Sequence, residues 1–211
     1  MEKFLKIAII GGTGKAGKYL VKQLVNHGFK IKVLLRNPNK LESTNLLIEK
    51  VSGDVRDFES VNSLIEGCSA VISTLGHTKG ESPVFSQATD NVIKAMNAQN
   101  IKRYIMITGI ALNSQHDNKK FRTKFLSKIM TLSFPAIIAD KQKEYSRLVE
   151  SNLDWTIIRI PLIEQTESSG KIKISLSDCP GKKISSTDLA NFLISQLSDD
   201  SFIRKCPFIA N

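Results

Sequence analysis

Cysteine is scarce: Cys68, Cys179 and Cys206 are the only three in 211 residues, odd in number, far apart and without C-x-x-C spacing. That pattern excludes a disulfide framework and the usual zinc motif, and it suits a reducing, cytoplasmic setting. His27, His77 and His116 are equally scattered and show no metal-ligand spacing, so no metal is expected. Long apolar runs are missing as well. No window approaches the roughly 18 residues that a membrane-crossing helix needs. The run Phe4–Ile10 is broken by Lys6 and ends in Gly11-Gly12 without a cleavage-like stretch, so it reads as a buried strand rather than a secretion signal. No repeat or low-complexity linker divides the chain. With 41% hydrophobic content, residues 1–211 are expected to form one domain around one sizeable core.

Nor is charge gathered into one run. Thirty Lys and Arg against twenty Asp and Glu give a net +10, but the cations are spread over most of the chain. Neither nucleic acid nor a membrane is therefore expected as a partner, and a monomer is expected. A small phosphate-bearing cofactor gains from the same positive field.

Short β-rich apolar runs alternate with amphipathic stretches, the pattern of βα units around a mostly parallel, doubly wound sheet of Rossmann type. Strands are predicted at Lys6–Ile10, Lys30–Leu35, Ile48–Ser52, Ala70–Thr74, Tyr104–Thr108 and Trp155–Ile160, with weaker signals at Lys171–Ser175 and Pro207–Ile209. Helices are predicted at Lys15–Asn26, Phe58–Glu66, Val84–Asn100, Asp140–Glu150 and Thr187–Leu197. The first places Ala16, Leu20 and Leu24 with Val21 and Val25 on one side, leaves Lys18 and Lys22 to water, and stops at Asn26-His27-Gly28.

The least sheet-like region is Ala111–Pro135. Phe121, Phe125 and Ile129 recur there every four residues among lysines, predicting a basic amphipathic helix over Lys119–Met130. It follows the fifth strand, so it belongs near the strand ends where open α/β sheets bind ligands. Two readings stand: a lid whose apolar stripe closes over the ligand, and a solvated helix with one face on the core. Membrane attachment ranks behind both.

Chemistry concentrates in Gly12-Thr13-Gly14-Lys15-Ala16-Gly17. A lone G-x-G-x-x-G is a weak signal, but here it follows an apolar strand and opens an amphipathic helix, the context a dinucleotide site requires. Glycine supplies the turn and the close approach of pyrophosphate, and the helix N-terminus offers free N–H groups. About twenty residues on, where NAD-binding domains carry an acid for the ribose 2′-hydroxyl, stands Arg36. Its planar fork suits a 2′-phosphate, which makes NADP(H) the expected cofactor and NAD(H) the weaker one; the alternative is a surface arginine at a strand end. Asn37 and Lys40 can assist. Asp54 and Val55 after the third strand and Thr74-Leu75-Gly76 after the fourth belong to the same sheet edge; each segment is either groove lining or a turn, Asp54 being suited to cap the next helix or to accept from adenine.

These residues together resemble the atypical short-chain dehydrogenase/reductases with NAD(P)-binding domains, near the biliverdin reductase B and flavin reductase group. The resemblance is carried by Ile9-Ile10-Gly11-Gly12-Thr13-Gly14-Lys15-Ala16-Gly17, Val33-Leu34-Leu35-Arg36 and Gly53-Asp54-Val55. It continues through Asn91-Val92-Ile93, Ile101-Lys102-Arg103-Tyr104, Glu150–Arg159, Ile184-Ser185 and Asp188-Leu189-Ala190. It implies NADPH lying across the strand ends, with its nicotinamide facing a shallow pocket for a flat conjugated acceptor such as a flavin or quinone. Lys141 matches the family's lysine position and is expected by the nicotinamide ribose; Thr108 is expected near the nicotinamide. The plain alternatives are a helix-surface lysine and a strand-end threonine.

Two departures matter. Neither Tyr19, Tyr104 nor Tyr145 has a lysine four residues later, and Ile137 precedes Lys141 at that spacing, so the proton-transfer dyad of alcohol dehydrogenation is absent. Thr108-Gly109-Ile110 stands where the family often has serine. Flavin or quinone reduction asks less, because stacking on nicotinamide supplies proximity and water can supply the proton. The competing reading is an NmrA-like, non-catalytic NADP-binding redox sensor acting on a protein partner. Of the histidines, only His77 is expected to border the pocket.

Overall fold

Strand β1 (Lys6–Ile10) is apolar on both faces, with Ile7, Ala8 and Ile9 fully buried, as a strand covered on two sides must be. The computed structural model describes residues 6–211, so Phe4 and Leu5 of the predicted strand run lie outside the described residues. Helix α1 (Gly17–Asn26) buries Leu20, Val21 and Leu24 while Lys18 and Lys22 stay exposed. It stops where predicted, at Gly28, whose φ of +78° is the left-handed conformation glycine adopts most easily. The chain continues through β2 (Lys30–Leu35), β3 (Ile48–Ser52), α2 (Phe58–Ile65), β4 (Ala70–Ser73), α3 (Phe85–Ala98) and β5 (Arg103–Gly109). There follow α4 (Phe121–Ser133), α5 (Pro135–Glu150), β6 (Asp154–Ile160), β7 (Leu162–Glu164), β8 (Lys173–Ser175), β9 (Lys183–Ser185), α6 (Ser186–Ser195) and β10 (Phe208–Ala210).

Eight strands form one sheet in the order β3-β2-β1-β4-β5-β6-β10-β8, parallel except for β8, which runs antiparallel to β10. The first six give the Rossmann arrangement. β7 and β9 pair as a small separate parallel ribbon. Helices α1 and α6 cover one face, over Ile7, Ile9, Ile31, Val33, Ile105 and Ile107. Helices α2, α3 and α5 cover the other, over Ala8, Ile10, Val71, Tyr104 and Met106. Chain direction across the sheet reverses between β1 and β4, and an open sheet leaves a crevice at that point, outside the carboxyl ends of the strands. Among the described residues no helix is long and apolar enough to cross a membrane.

Two helices differ from expectation. α5 begins at Pro135 rather than Asp140, because Pro135 takes the first helical position, where its missing N–H costs nothing. α4 forms as predicted but faces the other way: Thr123 and Ser127 are buried, with the Ser127 hydroxyl donating to the Ile110 carbonyl at 3.2 Å, while Phe121 is 84% exposed. Phe125 and Ile129 are exposed too. Small polar residues fit the close contact with the end of β5. The apolar stripe therefore points away from the protein.

Candidate functional site

At the switch point lies a groove of about 600 Å³. Its floor is the turn between β1 and α1, whose glycines have distinct jobs. Gly11 has φ of +78°, and a Cβ there would stand 2.7 Å from the Thr74 carbonyl. A Cβ on Gly17 would stand 2.0 Å from the Gly11 oxygen, so the turn closes only on glycine. Gly14 differs: it faces the groove, and an added Cβ would meet only the Gly11 oxygen at 3.3 Å. No side chain caps the first turn of α1 and no acidic residue stands in it. The polar ends of that turn are thus available to phosphate.

The walls come from the ends of β2, β3 and β4. Leu34 to Asn37 and Lys40 form one side, Gly53 to Arg56 the next, and Thr74 to Thr78 with Glu81 the third. Val84, Ile107 and Ile163 add apolar lining. Four cations, Lys15, Arg36, Lys40 and Arg56, thus face two carboxylates, Asp54 and Glu81. This charge, the open Gly14 and the uncapped helix fit a ligand with a pyrophosphate and further phosphate.

The Arg36 guanidinium is held by its neighbours. Nη1 donates to both Glu81 carboxylate oxygens at 2.8 and 3.0 Å, and Nη2 to the Thr78 hydroxyl at 2.9 Å. Arg56 grips Asp54 through Nε and Nη2 at 2.9 and 2.8 Å and lies 3.6 Å from Glu81. Hydrogen bonding from Arg56 holds the Asp54 carboxyl below the usual carboxylate range. Asp54 does not cap α2; Asp57 does, accepting from the Ser60 N–H at 2.9 Å. Asp54 is instead occupied by the arginine two residues on.

Of the residues expected to bind cofactor, Gly11, Thr13, Gly14, Lys15, Ala16, Arg36, Asp54, Val55, Thr74, Leu75 and Gly76 all line the groove. Gly12 and Gly17 lie beneath it, packed against Val33 and Gly11. Thr74 braces the turn, its hydroxyl donating to the Gly11 carbonyl at 3.1 Å. His77 reaches the groove as expected. Asn37 accepts from the Asn39 N–H, capping the short 3-10 turn Pro38–Lys40.

Thr108 and Lys141 do not line the groove, contrary to the roles expected of them. Thr108 is buried at the end of β5. Lys141 is not a surface lysine: it is buried, its Nζ lies 2.8 Å from the Glu144 carboxylate and 3.7 Å from the Phe85 ring centre. Glu144 also accepts from the Thr89 hydroxyl at 3.1 Å, and burial raises its pKa against the pull of Lys141. Asp140, one residue before, accepts from the Phe85 N–H at 2.7 Å at the start of α3. This stretch of α5 is spent on docking against α3. Nor does any α4 residue line the groove.

Sequence reasoning missed Arg56, Thr78, Glu81, Ile107 and Ile163. Arg56 adjoins the recognised Gly53-Asp54-Val55 segment and was the nearest to being found. The others come from loops or late strands that only the fold brings to this edge. A second depression, about 380 Å³ beside Asn113 and Tyr145, shares no residue with the groove.

The family model that matches residues 11–200 is described as NAD(P)H-binding. The chain is 36% identical over 110 residues to isoflavone reductase homolog A622-like of Nicotiana tabacum, covering 47% of this chain and 34% of that protein. It spans about a third of the length of most of the curated plant relatives it matches. Among solved structures it is similar to ChuY, an anaerobillin reductase from Escherichia coli O157:H7, with a TM-score of 0.81 at 18% identity over 97% of this chain and 96% of that one. A short-chain dehydrogenase/reductase from Veillonella parvula, solved in complex with NADP, superimposes with a TM-score of 0.78 at 15% identity, over 99% of this chain and 95% of that one. At such identities these structures attest the fold.

Proposed function

The chain belongs to the NAD(P)H-binding family, and from that premise we propose that it is an NADPH-dependent reductase of flat, conjugated acceptors of the flavin or quinone kind. The observation that carries the reading is the make-up of the groove: a phosphate-accepting turn, Arg36, and apolar lining that includes Val84, Ile107 and Ile163. The bound cofactor would supply the hydride. The glycine turn and the first turn of α1 hold the pyrophosphate, and Arg36 with Lys40 orients the ribose phosphate. Val84, Ile107 and Ile163 would offer apolar contact to the acceptor. No tyrosine–lysine dyad is among the described residues that line the groove, and Lys141 is paired with Glu144. An acceptor that takes its proton from water fits that lack.

The same lack favours one second reading, a domain that binds NADP and signals to a protein partner without turnover. Steady-state oxidation of NADPH with FMN, riboflavin and a quinone separates the two. Turnover with any of them supports the reductase; tight NADP binding with none across the panel supports the sensor. The three buried free thiols suit the reducing cytoplasm we assign to the protein.

A further inference from the structure

Ten large apolar side chains are exposed in the described protein, and six of them lie between Phe121 and Phe134. Phe121, Phe125, Ile129 and Leu132 project from α4 opposite its buried Thr123 and Ser127, and extend along about 17 Å of helix. The Phe121 and Phe125 rings stack, with centroids 6.1 Å apart. Leu132 is 72% exposed and Phe134 54%. A contiguous apolar ridge of this kind is costly in water unless something covers it.

The ridge has a basic border. Lys120, Arg122, Lys124 and Lys128 are exposed beside it, and no Asp or Glu occurs from Asn118 to Ala139. The flanking acids are already engaged: Asp117 with Arg159 and Lys119, and Asp140 with the start of α3. Asp178 accepts from the Lys120 backbone N–H at the foot of the helix.

We propose that α4 docks on an anionic phospholipid surface, with Phe121, Phe125, Ile129 and Leu132 in the headgroup boundary and Lys124 and Lys128 on lipid phosphates. Phenylalanine and leucine on one side with lysine at the flanks is the composition of helices that lie in a membrane interface. A second copy of this chain is disfavoured by charge, because ridge-on-ridge contact brings two basic borders together with no acid in either segment to pair with them. This revises the expectation that no membrane is a partner, and it is independent of the cofactor reading.

The test is flotation of the intact protein with phosphatidylcholine vesicles, alone or containing about one third phosphatidylglycerol. Wild type should float with the anionic vesicles and be released by high salt, and should float poorly with phosphatidylcholine alone. Phe121→Ser with Phe125→Ser should weaken anionic binding by about tenfold or more. Lys124→Gln with Lys128→Gln should weaken it by about twenty-fivefold, from about fivefold for each cation near the surface. All four side chains are exposed, so melting temperature and NADP⁺ affinity serve as folding controls. Failure of wild type to float, or unchanged flotation of either double variant, overturns the proposal. So does a lipid-free dimer of wild type that the phenylalanine pair dissociates, which assigns the ridge to a second copy.

Discussion

Arg36 and Glu81 set a competition that a titration can read. In the free protein the Arg36 guanidinium is satisfied by the Glu81 carboxylate and the Thr78 hydroxyl. An incoming 2′-phosphate must take that place. Both partners are partly exposed, with side-chain accessibilities of 48% for Arg36 and 35% for Glu81. The resident pair is therefore worth about 0–1 kcal/mol after solvent screening, not the full strength of a buried bridge. A phosphate carries more charge than a carboxylate, and each charge-assisted hydrogen bond to it contributes about 1.5–3 kcal/mol. One good contact gives NADPH a preference over NADH of about tenfold to a hundredfold. Arg36→Ala should remove most of it by weakening NADPH alone. Arg36→Lys should restore part, since a point charge lacks the planar fork. Glu81→Gln should act in the opposite direction: it removes the competing anion and its repulsion of the phosphate, tightening NADPH by up to about fivefold with NADH unchanged. Calorimetric titration of the wild type and the three variants with NADP⁺ and NAD⁺ measures each effect. Equal wild-type affinities, or an undiminished preference in Arg36→Ala, would refute the role of Arg36. A lost preference there combined with unchanged Glu81→Gln affinity would keep Arg36 and remove Glu81.

Gly14→Val should abolish NADP⁺ binding in calorimetry while the melting curve stays near that of wild type, because only the Gly11 oxygen lies near the added Cβ; Gly17→Ala should disrupt the turn itself. Lys141→Met should lower stability by about 3–5 kcal/mol by stranding the Glu144 carboxylate, Glu144→Leu added to it should restore most of the loss, and the folded double variant should bind NADP⁺ like wild type. A double variant that melts like wild type yet no longer binds NADP⁺ would return Lys141 to the site. Burial pushes the Cys68 thiol up to about 11 and that of Cys206 to about 12, and raises Cys179 as well. Alkylation requires the thiolate, so at pH 8 the folded protein should resist iodoacetamide and the unfolded chain should take three adducts, counted by mass spectrometry.

Strands β1 and β2 end where their apolar runs do, at Ile10 and Leu35, because both are buried within the sheet, whereas β3 lies at its edge and alternates exposed Glu49 and Lys50 with half-buried Ile48 and Val51. Boundaries drift where tertiary contact decides. β5 gains Arg103 at its start because that side chain is buried, donating to the Gln196 carbonyl and the Thr156 hydroxyl. β7 and β9 were not predicted at all: each has three residues, too few for an alternation, and pairs only with the other. The stripe on α4 was legible as a period and illegible as a direction. Periodicity says which side chains share a face, whereas the burial of that face depends on what β5 and the neighbouring loops present to it.

The candidate site divides along the same line. Gly11 through Ala16 could be read because a phosphate turn is built from consecutive residues, and Arg36 because a strand end lies at a fixed count from that turn. Glu81 and Ile163 carry no such mark, since a loop after β4 and a strand after β6 reach the groove only once the sheet has ordered them. Lys141 is a different case. Its position was inferred from family likeness, but a lysine that follows Asp140 and precedes Glu144 by three residues has another use: all three side chains fasten α5 to α3 through Phe85, Ser86 and Thr89. A buried pair of this kind must be complete to be tolerated, so Lys141 cannot leave Glu144 for a ribose hydroxyl without stranding a charge in the core. The arrangement that anchors α5 thus keeps Lys141 away from the groove. The proposed acceptor, which draws its proton from water, makes no demand on Lys141.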